Sequence, residues 1–215
     1  MKMFAIVLSG CGVYDGAEIQ EAVTAMLAVC RKGHLYQVFA PDIPQHHVVN
    51  HLNGSEMPEQ RNVLVEAARI ARGNIKDLSA FEPSQYDVLL FVGGFGAAKN
   101  LSDFAFKGEN YTVIGQAVNA IEAMHRAGKP IGAMCVSPVL IADTIKGVEL
   151  TLGEPCGASE AAEKHGAVHK VSTHGEVTVD IKNKVATTPC YMLDATIAQV
   201  ADGAEHLVEE LLKLM

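Results

Sequence analysis

The stretch that decides the fold is "KPIGAMCVSPVLIA", Lys129 to Ala142. A short apolar run, "PIGAM", ends at Cys135, and "SPVLIADTI" then resumes with helix character. This reads as a buried strand turning directly into a helix, with the cysteine at the junction. A residue there meets unpaired N–H groups and the positive end of the helix dipole, which favour an anion. Such a setting lowers a thiol pKa, and the thiolate is the reactive form. A tight turn needs small neighbours, and Ala133 and Ser137 supply them, although Ser137 stands where an elbow of this kind usually has glycine. The same position also suits a buried core cysteine. The stretch alone leaves nucleophile and core filler both open.

Working outward, the same alternation of apolar strand, glycine turn and helix recurs. "MKMFAIVL" (Met1–Leu8) reads as a buried strand, and "AEIQEAVTAMLAVCRKG" as a helix ending at Gly33. Ile19, Val23, Met26, Leu27 and Cys30 fall at helical spacing and predict its core face. "LYQVFA" (Leu35–Ala40) is a second strand, stopped by Pro41. Residues 42–85 form an irregular excursion, with a helix expected in "PEQRNVLVEAARIARG", between Pro58 and Gly73. "YDVLLFVGGFG" is a buried strand entering a glycine turn, and "TVIGQAVNAIEAMHRAGKP" a helix closed by Gly128. "EVTVDIKNKVATTP" predicts a hairpin turning at Asn183. "DATIAQVADGAEHLVEELLKLM" is a closing amphipathic helix with Asp194 as its expected N-cap. One α/β domain over residues 1–215 follows, with a mostly parallel sheet covered by helices on both faces.

In such sheets the site lies at the carboxyl ends of the strands. That rule selects the loop after Leu8, the loop after Val92, and Cys135. Gly93 and Gly94 lack Cβ atoms, so backbone N–H groups there can approach a ligand oxygen, although glycine pairs also make plain turns. "GGFG" has neither dinucleotide-fingerprint nor phosphate-loop spacing, so no cofactor is expected. Glu18 and Glu21 open the first helix, where acids favour the dipole. Glu21 is read in that role alone. Glu18 follows the first strand's loop directly and faces the same sheet edge as Cys135. Tyr14 is a pocket candidate, and Tyr191 is read as packing.

The chain has 215 residues and a formal net charge of −8, which argues against nucleic acid and anionic membranes as partners. No apolar run reaches the roughly 18 residues of a spanning helix. The five cysteines are odd in number, widely spaced and without a CxxC pair, so a reducing compartment is expected. A soluble, untargeted cytoplasmic protein follows. His46, His47 and His51 are near one another, but no Asp or Cys completes a metal set, and no metal is expected.

Three motifs stand in order: an acid after the first strand, "GGFGAAKNLS", and "AMCVSP" at an elbow. Together they resemble the ThiJ/PfpI superfamily of class I glutamine amidotransferase-like proteins over nearly the whole chain. "VLSGCGVYDGAEIQEA", "NHLNG", "EAARIARG", "GGFGAAKNL" and "TTPCYML" are similar to the ElbB-type glyoxalases within it, also described as isoprenoid-biosynthesis proteins with an amidotransferase-like domain. The resemblance implies a flavodoxin-like three-layer sandwich, usually dimeric. It implies Cys135 as nucleophile, Glu18 as the acid hydrogen-bonded to its sulfur, and Gly94 and Val136 as backbone oxyanion donors. The implied activity is a lyase reaction, glutathione-independent conversion of glyoxal or methylglyoxal to a hydroxy acid. Its alternatives are a deglycase-like side activity and a non-enzymatic redox-sensing role. Amidotransferases also need a late histidine after a buried strand. His174 and Glu176 lie instead at the hairpin entrance, so glutamine hydrolysis is not expected.

Overall fold

The computed structural model describes residues 1–215. In chain order its elements are β1 (Met3–Val7), α1 (Ile19–Arg31), β2 (Leu35–Ala40), α2 (Val63–Ile70), β3 (Ile75–Asp77), β4 (Val88–Phe91), α3 (Phe95–Lys99), α4 (Phe104–Lys107) and α5 (Gly115–Arg126). Then come β5 (Ile131–Met134), α6 (Pro138–Thr144), β6 (Glu149–Leu150), α7 (Gly157–Lys164), β7 (Val168–His169), β8 (Thr178–Asp180), β9 (Val185–Thr188) and α8 (Ile197–Lys213). Seven strands form one sheet in the order β3-β2-β1-β4-β5-β9-β8. All pairings in it are parallel except the β8–β9 hairpin. The parallel strands read as uninterrupted apolar runs because helices cover both their faces. One core cluster packs α5, α6 and α7 against the sheet, and the other packs α1, α2 and α8 against its opposite face. The result is the flavodoxin-like three-layer sandwich.

Several details differ from the sequence reading. Most of the expected core face of α1 is turned out: Ile19, Val23, Leu27 and Cys30 are exposed, and of that set only Met26 is buried. The helix packs instead through Glu21, Ala22, Ala25, Met26 and Val29. Small side chains let it lie close to the sheet, and closeness outweighs side-chain size. In the excursion, α2 begins only at Val63, where the Asn62 side chain accepts the Val65 N–H at 3.0 Å. Pro58 therefore lies outside the helix. The closing helix is capped by Thr196, not Asp194, because Thr196 and Gln199 form a reciprocal capping box. The small parallel pair β6–β7 was not anticipated. No helix is long and apolar enough to cross a membrane.

Candidate functional site

β1, β4, β5 and β9 lie side by side, so their carboxyl ends form one edge. Cys135 follows β5 with φ +58°, a left-handed backbone that a non-glycine residue adopts only when its surroundings impose it. Two contacts impose it here. Cys135 N–H donates to the Thr188 carbonyl of neighbouring β9 at 3.0 Å. The fully buried Ser137 hydroxyl donates to the Val92 carbonyl at 2.7 Å. Ser137 itself has φ −61°, so nothing at that position demands glycine, and its hydroxyl satisfies the end of β4.

The β4–α3 turn closes over the sulfur. A Cβ on Gly93 would lie 2.3 Å from Cys135 Cβ, 2.5 Å from Glu21 Oε2 and 2.9 Å from Cys135 Sγ. Only glycine fits there, so Gly93 acts as a close-packing floor and not as pocket lining. Gly94 has φ +98°, and a Cβ would strike the Glu18 N and Gly16 O atoms at 2.4 Å. The N–H groups of Gly94 and Val136 both come within hydrogen-bonding reach of the sulfur.

The acid at the sulfur is Glu21, which corrects the placement expected for Glu18. Glu18 N–H donates to the Gly93 carbonyl at 2.9 Å, and its carboxylate turns back to accept the Glu21 N–H at 2.6 Å. It is the N-cap of α1. Glu21 sits one turn later on the inner face and is fully buried. Its Oε1 accepts the Tyr191 N–H at 3.2 Å, while Oε2 finds no well-aligned donor and faces the Cys135 thiol and the Gly93 peptide. Burial, then the nearby Glu18 charge, lifts the Glu21 carboxyl to about 8. The signal for Glu21 was present in sequence: it precedes the small-residue row Ala22, Ala25 and Ala28, the row that packs closest.

Burial also drives the Cys135 thiol well above its ordinary value, and the Glu21 charge adds to this, while the Gly94 and Val136 amides oppose it. The lowered thiol pKa expected from the helix terminus is therefore overturned. The two amides pull the thiol down by less than the loss of water pushes it up. Two adjacent buried acids that both resist ionisation hold at most one negative charge between them.

Above Cys135 opens a cavity of about 410 Å³. Val13 lines it, whereas Tyr14 points away, 4.9 Å from the His51 ring, beside a separate hollow. Tyr191, read as packing, both supports Glu21 and borders the cavity. No histidine lines it. His174 Nε2 donates to the Asp194 carbonyl at 3.0 Å, and the residue lies outside the cavity lining. His46 and His47 pack their rings on each other and on Phe106, and His51 accepts the Tyr14 N–H.

No family model matches the chain. Among curated proteins, it is 45% identical to the human "Glutamine amidotransferase-like class 1 domain-containing protein 3, mitochondrial", covering 98% of this chain and 82% of that one. It is 44% identical to the rat "ES1 protein homolog, mitochondrial", covering 98% and 83%. These names overturn the expectation of a cytoplasmic protein, because both place their proteins in mitochondria. Among solved structures, an isoprenoid biosynthesis protein with an amidotransferase-like domain from Ehrlichia chaffeensis superposes with a TM-score of 0.92 at 33% identity, over 99% of this chain and all of that one. A glyoxalase III from Candida albicans shares the fold, with a TM-score of 0.62 at 16% identity over all of this chain and 97% of that one. Sequence relatives and architecture agree: the chain belongs to the glutamine amidotransferase-like class 1 domain proteins.

Proposed function

We propose that the chain is a cofactor-independent glyoxalase that converts glyoxal or methylglyoxal to glycolate or lactate through a Cys135 hemithioacetal. One observation carries the reading. A buried carboxyl and two backbone N–H groups converge on one sulfur at the floor of an open cavity that no histidine lines. An amidotransferase would need that histidine to protonate its leaving group. An internal redox reaction of a 2-oxoaldehyde has no leaving amine, so one carboxyl is enough.

The pair reacts with one negative charge between its two acids: the Glu21 carboxylate takes the Cys135 thiol proton as the sulfur engages the aldehyde. The sulfur adds to the aldehyde carbon, and the carbonyl oxygen takes the Glu21 proton. The Gly94 and Val136 N–H groups stabilise charge on that oxygen as it develops. Glu21, now a carboxylate, removes the hydrogen on the former aldehyde carbon as a proton and returns it to the neighbouring carbon through an enediol. One carbon is oxidised to a thioester and the other reduced to an alcohol, with no external redox partner. Water cleaves the thioester, releasing the hydroxy acid and restoring the thiol. Burial suits Glu21 to this work, because a carboxyl lifted to about 8 carries its proton near neutral pH and can lend it. The test is glyoxal turnover by wild type, Cys135→Ala, Glu21→Gln and Glu18→Gln. Activity is expected to fall by orders of magnitude in the first two variants and to persist in the third. Full activity in Cys135→Ala would overturn the mechanism.

A further inference from the structure

The cavity is larger and greasier than glyoxal requires. Of its thirteen lining residues eight are Val, Phe, Ala or Met, two are glycines, the rest are Cys135, Cys156 and Tyr191, and none is Asp, Glu, Lys, Arg or His. The Tyr191 hydroxyl, one of the few polar groups nearby, is already engaged by the Gln20 side chain. Phe95, Phe104 and Ala105 form one wall above Cys135, and Ala158 and Met192 border the rest. At about 410 Å³ the space falls within the roughly 300–1,000 Å³ of sites that enclose a whole small ligand. Glyoxal consists of two carbonyl groups and would leave most of that wall untouched. A phosphate, carboxylate or ammonium group would lose its water there and find no partner. Only apolar surface gains from such a wall, at a rate that makes each buried methylene worth about fourfold in binding.

Resting on the glyoxalase reading, we propose that the substrate class is an uncharged 2-oxoaldehyde bearing an apolar chain or ring. Its aldehyde sits on Cys135, and its tail lies along Phe95, Phe104 and Met192. The reacting end is recognised by the Gly94 and Val136 amides, and specificity comes from the wall.

The experiment compares kcat/KM for glyoxal, methylglyoxal, 2-oxopentanal, 2-oxohexanal and phenylglyoxal, with 4,5-dioxopentanoate as the charged counterpart. In wild type, kcat/KM is expected to climb with chain length, by about fourfold per methylene until the wall is filled. The charged compound should fall at least about tenfold below 2-oxopentanal, since its carboxylate meets no cation. Ala105→Phe, which narrows the wall from its exposed rim, should cut 2-oxohexanal more than glyoxal. A flat series with measurable glyoxal turnover would overturn the substrate class and leave the glyoxalase reading intact. If no member turns over, the reaction falls instead, and the recognition claim is read separately. Cys135→Ala protein titrated with 2-heptanone and with acetone, followed by NMR, should then prefer the longer ketone at least about tenfold. Equal affinity, or no binding of either, would overturn it.

Discussion

Cys135 and Cys190 stand at the carboxyl ends of β5 and β9, neighbours in the sheet. Both are bent into left-handed backbone, at φ +58° and +43°. They are 7% and 5% exposed, and burial lifts both thiols, with the Glu21 charge acting on each. Their other surroundings differ. Cys135 has the Gly94 and Val136 amides and an open cavity. Cys190 has the Thr188 hydroxyl, lies behind Tyr191 against Gly203 of α8, and does not line the cavity. Burial and a strained turn are therefore not what makes a nucleophile here. Converging donors and a way in are what separate the two thiols.

The comparison can be broken most directly at sulfur. Cys135→Ala should lower kcat/KM for 2-oxoaldehydes by about 10³-fold or more, as loss of a nucleophile does. Cys190→Ala should stay within a few-fold of wild type. Equal losses in steady-state kinetics would erase the distinction. The next effect is at the shared acid. Glu21→Gln should cost about 10²–10⁴-fold in turnover. Glu18→Gln should lower stability by about 1 kcal/mol, the usual worth of an N-cap, with turnover largely kept. Chemical denaturation run beside the kinetics separates these outcomes.

A third effect is on stability against pH. The Glu21 carboxyl rises from an ordinary 4.5 to about 8 on folding. The folded chain thus keeps a proton that the unfolded chain releases. This contribution is complete below about pH 4.5 and is lost as pH climbs through about 8. Between those limits wild type should lose stability on the order of a few kcal/mol relative to Glu21→Gln. Urea midpoints for both proteins at about pH 5 and pH 8.5 read this directly. Parallel pH dependence in the two would remove Glu21 as the cause. The smallest effect is at the turn itself. Ser137→Ala leaves the Val92 carbonyl without its hydroxyl partner and should cost about 1–2 kcal/mol.

Much of this architecture was legible from residue pattern. β4 and β5 announce themselves as short unbroken apolar runs ending in glycine or cysteine, because parallel central strands are buried on both faces. The β8–β9 hairpin follows from its alternation and Asn183. Strand-end position pointed to Cys135 and to the Gly93–Gly94 loop, whereas Val136 and the donor role of Gly94 came only from the family resemblance. The face of α1 was not legible from hydrophobicity, because Ile19, Val23 and Leu27 are more apolar than Ala22 and Ala25 and yet lie outside. That inversion hid Glu21, since an acid beside alanines looks like a dipole partner until the alanines prove to be the contact face. The cap at Thr196 was readable from Gln199 three residues on, but Asp194 offered an equally ordinary cap.

The cavity draws its lining from Val13, just after the first strand, to Met192, just before the last helix. Its floor joins β4 to β5 and β9, and Glu21 arrives on α1 from the amino-terminal end of the chain. No fragment short of nearly the whole sequence contains it. Contacts of such long sequence separation are the last to close during folding, because the intervening loops must be drawn in first. Reactivity at Cys135 is therefore a clock hand for assembly. A refolding chain should regain helix signal early and a functional sulfur only when β1, β4, β5 and β9 have all found their places.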